Sequence, residues 1–328
     1  MSALREMIGC QADVLRELAG TDLGPAPARL GAAPRIALVG TGTSFHAAEL
    51  GAELLARGGR DVRAVESARF ARADAPRRGR ASEEAVILIT HTGETAFALE
   101  VRHRQLAAGG GLVSITGPGP GWPEAIVTPV RERAETYTVS YTAALGVLGL
   151  IAHRLDATDT GPESLIRVAD EIARIVADPR VAHVPMPARA LALVGAGPWA
   201  VTAREAALKL REGARMLCEG FDAERLLHGA AVPYGPADGL VLLDPAADPD
   251  GLTAALGEAA RSEGIPVSEL HPDAPREDDP FLAQLPLTVR VQCLAARFAE
   301  LRGTDPDTAI TGAWAEPALW SLGAPAAE

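Results

Sequence analysis

Short apolar runs, each closed by a glycine or polar turn and followed by a stretch of helical period, recur along this 328-residue chain. RIALVG (35–40) leads into TGTSFHAAELGAELLA, and AVILIT (85–90) leads into HTGET and a helix. GLVSIT (111–116) ends in GPGPGWP, and the short AIVTPV follows. Continuous apolar strands alternating with helices predict an α/β fold whose parallel sheet is covered on both faces. Ahead of them, residues 2–19 read as one amphipathic helix, and GTDLGPAPARLGAAP reads as a turn-rich link. The segment ETYTVSYTAALGVLGLIAHRL is expected to become helical after Thr142.

The rhythm then restarts. LALVGAG (191–197) repeats IALVGTG (36–42), with Val39 and Gly40 returning as Val194 and Gly195. GLVLLD (239–244), a helix, GIPVSEL and LPLTVRVQCLAARFAELRGTD complete the second copy. A repeat of this length means two similar domains rather than a solenoid. The expected organisation is an N-terminal helix and linker (1–30), a first domain (31–156), a connecting helix (157–187), a second domain (188–304) and a tail (305–328). The acidic, proline-containing DAPREDDP (273–280) is expected to be exposed.

Composition narrows the partners. A hydrophobic content of 48% is ample for two cores. A formal charge of -12 argues against a nucleic-acid backbone as partner, yet leaves room for a small anion bound by local amides. Three scattered cysteines, without metal spacing, fit a reducing cytoplasm and no metal site. The start of the chain lacks the apolar run of a signal peptide, and residues 143–152 are too short to span a bilayer. Neither a membrane nor a cofactor is expected: the GxG turn at 195–197 lacks a third glycine and is followed by Pro198, a poor dinucleotide fingerprint.

Two loops and one helix carry candidate chemistry. Gly42, Thr43 and Ser44 stand where a strand ends and a helix begins, as do Thr90, His91, Thr92 and Thr95 in THTGET. Free amides and hydroxyls there suit a phosphate, and neighbouring strand ends in an open sheet form one crevice. Ser and Thr are also routine helix caps, which is the plainer role for either loop and for Ser140. In REAALKLREGARMLCEGFDAERLLHG (204–229), Glu205, Lys209 and Glu212 fall on one helical stripe. The stripe reads either as a solvated face with a Glu–Lys pair or as a catalytic face, with His228 assisting from the loop beyond.

VGTGTSFHAAE, ITHTGETAFAL and REAALKLRE…LLHG resemble the sugar isomerase (SIS) domains found in the isomerase half of glucosamine-6-phosphate synthase and in related sugar-phosphate deaminases and deglycases. The likeness runs from about Arg35 to Asp305 with the motifs in order. It implies two tandem SIS domains, each a five-stranded parallel sheet flanked by helices. It implies that Ser44, Thr90, His91, Thr92 and Thr95 hold the phosphate of a sugar, with Ser140 nearby. It further implies that Glu212 shuttles a proton between C1 and C2, that His228 is donated by a neighbouring subunit of a homodimer for ring opening, and that Glu205 and Lys209 stand close to Glu212. The expected activity is that of a hexose-phosphate deaminase, deglycase or aldose–ketose isomerase; a sugar-phosphate-binding regulator is the alternative. Departures are His91 for the family's glutamine, Ala230 for its proline, and Trp314 about where a Schiff-base lysine would fall. Ser2 stands where the synthase's glutaminase cysteine would be, so glutamine-dependent amination is not expected of this chain alone.

Overall fold

The computed structural model describes residues 2–74, 83–273 and 279–325, so most of the DAPREDDP loop lies outside the described residues. The chain folds as two compact units. One comprises Asp13–Glu132, Val139–Ile166 and Ile310–Glu328; the other comprises Met1–Ala12, Arg133–Thr138 and Arg167–Ala309. In chain order the elements begin with α1 (Ala3–Gly9), α2 (Gln11–Ala19) and α3 (Ala26–Gly31). The single N-terminal helix expected from the pattern is thus broken at Cys10, whose amide bonds to the Glu6 carbonyl and closes α1.

The first unit is built on β1 (Arg35–Gly40), α4 (Thr43–Ala56), β2 (Asp61–Glu66), α5 (Ser67–Arg69), β3 (Glu84–Ile89), α6 (Ala96–Ala107), β4 (Leu112–Thr116), β5 (Ala125–Val127) and α7 (Val139–Arg154). Its five strands are parallel in the order β2-β1-β3-β4-β5. Alternate residues of the strands serve opposite faces. Ala37, Val39, Val86 and Leu88 pack with Ala98 and Val101 of α6, while Leu38 faces Gly51 of α4 and Leu148 of α7. A side chain at Gly51 would stand 2.7 Å from Leu38, so the small residue lets α4 lie close on the sheet. Helix α7 starts at Val139, ahead of its expected onset after Thr142.

After α8 (Pro162–Ala177), the second unit holds β6 (Ala190–Gly195), α9 (Pro198–Ala214), β7 (Leu217–Asp222), α10 (Ala223–Arg225), β8 (Gly239–Leu243), α11 (Leu252–Ser262), β9 (Val267–Leu270) and α12 (Pro280–Arg302). Its sheet, parallel in the order β7-β6-β8-β9, has four strands among the described residues rather than the expected five. Leu191, Leu193, Val241 and Leu243 pack with α9 and α12, and Ala192, Val194, Leu240 and Leu242 with α11. The segment beginning LPLTVRVQC is helical and belongs to the buried α12. No helix among the described residues is long and apolar enough to cross a membrane.

The repeat seen in the sequence is also a repeat of backbone geometry. Gly42 (φ 56, ψ -126) caps α4, and Gly197 (φ 55, ψ -128) caps α9. Both dihedral pairs lie in a region that glycine alone enters cheaply. Two residues earlier, Gly40 and Gly195 let the first helical turn pass directly over the strand end: a side chain at Gly40 would collide with the Ser44 backbone, and one at Gly195 with Trp199.

Candidate functional site

In the five-stranded unit, the two hydroxyl loops leave the carboxyl ends of adjacent parallel strands, β1 and β3. At the first, the Ser44 amide closes a tight turn onto the Thr41 carbonyl. The Ser44 hydroxyl makes no hydrogen bond among the described residues. At the second, Thr90 is buried and its amide continues the ladder to Ile115. The Thr92 hydroxyl accepts from the Glu94 amide at 3.2 Å. Thr95 occupies the cap position of α6 without making a side-chain cap bond. The α4 and α6 starts therefore present first-turn amides together with the hydroxyls of Ser44 and Thr95, the chemistry of an oxyanion cradle.

His91 and Ser140 stand apart from that pattern, because one residue holds both. The Glu132 amide donates to His91 Nε2 at 2.9 Å. The Glu132 carboxylate accepts from the amide and the hydroxyl of Ser140, each at 3.0 Å. An imidazole that accepts at Nε2 carries its proton on Nδ1 and is neutral. Burial, and then the nearby Arg131 charge, hold its pKa down to about 4. The ring lies over Gly117, where a side chain would overlap it, and the His91 carbonyl accepts from the Gly117 amide. Ser140 is thus committed to an internal carboxylate at the start of α7. Nothing in RERAE, a run of charges between β5 and α7, announces this role for Glu132: its partner His91 is 41 positions away.

In the four-stranded unit, α9 brings Glu205, Lys209 and Glu212 together. Lys209 Nζ donates to Glu212 Oε2 at 2.6 Å and lies 3.6 Å from Glu205 Oε1. Lys209 is 1% exposed and Glu205 is fully buried, which overturns the solvated-face reading of this stripe. Thr288 and Gln292 of α12 line the same narrow crevice as Glu205 and Lys209. Burial raises the proton affinity of Glu212, opposed by the charge and hydrogen bond of Lys209 and reinforced by Glu205. A carboxylate with enhanced basicity, beside a fixed cation, is equipped to take and return a proton.

His228 is placed differently. It follows α10 in a kinked turn whose next residue, Gly229, has φ 103. The side chain is 72% exposed, with Glu224 Oε1 3.9 Å away. Its ion-pair neighbour is thus Glu224, not Glu212. Among the described residues no cluster of His, Cys, Asp or Glu is disposed to hold a metal. In the tail, Trp314 is exposed and its carbonyl accepts from Trp320 Nε1 at 2.7 Å.

No family model matches the chain. The chain is 27% identical over 307 residues to the isomerising glutamine–fructose-6-phosphate aminotransferase of Thermococcus kodakarensis, a match covering 83% of this chain and 50% of that protein. It therefore spans about half the length of this curated relative. Among solved structures, it is similar to tagatose-6-phosphate ketose/aldose isomerase from Escherichia coli, with a TM-score of 0.80 and 16% identity over 94% of this chain and 96% of that one. It is also similar to glucosamine-6-phosphate deaminase from Thermotoga maritima, with a TM-score of 0.74 and 18% identity over 93% and 97%. At such identities the structural likenesses establish the fold.

Proposed function

We propose, from the premise that this chain belongs to the sugar isomerase (SIS) domain family, that it is an enzyme acting on a hexose phosphate or its amino derivative. The reaction is either aldose–ketose isomerisation or release of an amine as a deaminase or deglycase. Both begin alike: a base removes the proton alpha to a carbonyl or imine and returns it to the adjacent carbon. Glu212 is the proposed proton-transfer residue, Lys209 the cation that steadies its charge, and Glu205 the carboxylate that seats Lys209. The phosphate is assigned to Thr43, Ser44, Thr92 and Thr95 at the two helix starts. His228 is assigned to ring opening or to the departing group, reaching the site of a neighbouring subunit in a homodimer.

The observation that carries this reading is the bond from the buried Lys209 ammonium to the half-buried Glu212 carboxylate, with the proton affinity of Glu212 raised by its surroundings. The relatives act on hexose 6-phosphates by their names, which supports the substrate class. The test is incubation of pure protein with fructose 6-phosphate, glucosamine 6-phosphate and a phosphorylated Amadori compound. Ketose–aldose conversion selects the isomerase; ammonia or amino-acid release selects the deaminase or deglycase. Binding without turnover of any of them would leave a sensor and remove the enzyme. Glu212→Gln should abolish turnover and spare binding. Mixing inactive Glu212→Gln and His228→Ala chains should restore activity if the site is shared between subunits.

A further inference from the structure

We infer that Arg131 is the cation that meets the ligand's phosphate. This assignment rests on the phosphate reading of the Thr90–Thr95 loop. That loop holds two uncommitted or weakly committed threonines but no positive charge of its own, because His91 accepts a hydrogen bond at Nε2 and is neutral. A phosphate dianion held by hydroxyls and amides alone lacks a counter-charge.

Arg131 is placed to supply it. Three contacts locate it against the loop. The amide of its neighbour Glu132 is bonded to the His91 ring at 2.9 Å. The turn after β4 packs on the same loop: Gly117 lies under the His91 ring, and a side chain at Gly93 would stand 2.7 Å from Pro120. Arg131 Nη1 lies against Gly119 of that turn, 3.6 Å from where its side chain would begin. The guanidinium thus sits at the carboxyl ends of β3 and β4, where open parallel sheets bind ligands.

Its bonding state is equally telling. Elsewhere in the same unit, Arg63 pairs with Glu84, Arg102 with Glu124, and Arg104 with Glu100. Arg131 makes no ion pair or hydrogen bond among the described residues. The nearest acid in sequence, Glu132, spends its carboxylate on Ser140. Those bonds tie Glu132 to the start of α7 and so fix the chain beside Arg131. A guanidinium's planar fork matches two phosphate oxygens at once, which a lysine cannot do.

The test is calorimetric binding of fructose 6-phosphate and of inorganic phosphate to the full chain, comparing wild type with Arg131→Met, Arg131→Lys and Arg133→Met. Arg133 is an adjacent arginine paired with Glu6 and serves as the control. Arg131→Met should weaken both ligands by about tenfold to a hundredfold, the range for losing a charged hydrogen-bonding partner. Arg131→Lys should recover part of the loss, and Arg133→Met should bind as wild type does. Thermal melts check that each variant is folded. Folded Arg131→Met binding within twofold of wild type would overturn the assignment alone. Wild-type protein that binds neither ligand would overturn it together with the phosphate reading.

Discussion

The Glu132 carboxylate accepts from both the amide and the hydroxyl of Ser140, at 3.0 Å each, and so caps helix α7 from seven residues outside its first turn. Both residues are buried, so neither donor has water as a substitute. Glu132→Ala should cost about 1–3 kcal/mol, as expected for losing a cap and leaving buried donors unpaired. Glu132→Gln keeps a carbonyl acceptor and should cost less than Glu132→Ala. Urea unfolding of the two variants checks the order; equal losses would mean that the carboxylate packs rather than caps.

The other end of Glu132 makes a pH prediction. His91 has its pKa lowered from 6.5 to about 4, by burial first and by Arg131 second. Below the unfolded value the unfolded chain binds a proton that the folded chain refuses, so the unfolded state gains. The contribution of His91 is therefore complete above pH 6.5 and is lost as pH falls toward 4. Its size is on the order of 2–3 kcal/mol. His91→Gln should flatten stability across this window, measured as the difference in unfolding free energy between pH 7 and pH 4.5. An unchanged slope would place the titrating group elsewhere.

The sheet strands that are buried on both faces were legible because their sequence is unbroken apolar: RIALVG, AVILIT and GLVLLD each became a strand within one residue of expectation. The edge strands β2 and β7 were not. DVRAVE and LCEGFD are half exposed, and their mixed polarity has neither a buried-strand run nor a clean alternation. The stripe of Glu205, Lys209 and Glu212 was visible from spacing alone, but spacing could not say whether it faced water. That depended on α12, which packs over α9 and begins 82 residues further along the chain than α9 does. Glu132 and Arg131 carried no local signal, since the loop they stand against, that of His91, lies 41 positions away from Glu132 and is brought near only by the parallel sheet.

Glycine at the strand ends supports a sharper test of the repeat. Gly40→Ala places a methyl group into the Ser44 backbone, and Gly195→Ala places one against Trp199. Neither contact can be relieved by turning a flexible side chain, because backbone is involved in both. Each substitution should destabilise by about 1–3 kcal/mol, the usual cost of overpacking. Gly40→Ala should also weaken sugar-phosphate binding, because it moves the turn that carries Thr43 and Ser44. Gly195→Ala should leave phosphate affinity unchanged, its turn carrying Pro198 in place of hydroxyls. Parallel unfolding and binding measurements separate the two outcomes.

Lys209 supports the last prediction, because one ammonium holds two carboxylates. It bonds Glu212 at 2.6 Å and lies 3.6 Å from the fully buried Glu205. Lys209→Met retains most of the volume but strands both acids, and breaking a buried pair in this way costs about 3–5 kcal/mol. Adding Glu205→Gln removes one of the stranded charges, so the double variant should be more stable than Lys209→Met alone. That inversion is the signature of a charge cluster, since two truncations of ordinary packing would add. The same change should act on Glu212, whose proton affinity burial raises and Lys209 restrains. Without the ammonium, the carboxyl stays protonated to higher pH, and the ascending limb of any pH–rate profile governed by Glu212 should move alkaline. If the limb moves toward acid or stays in place while turnover persists, Glu212 is not the group that titrates.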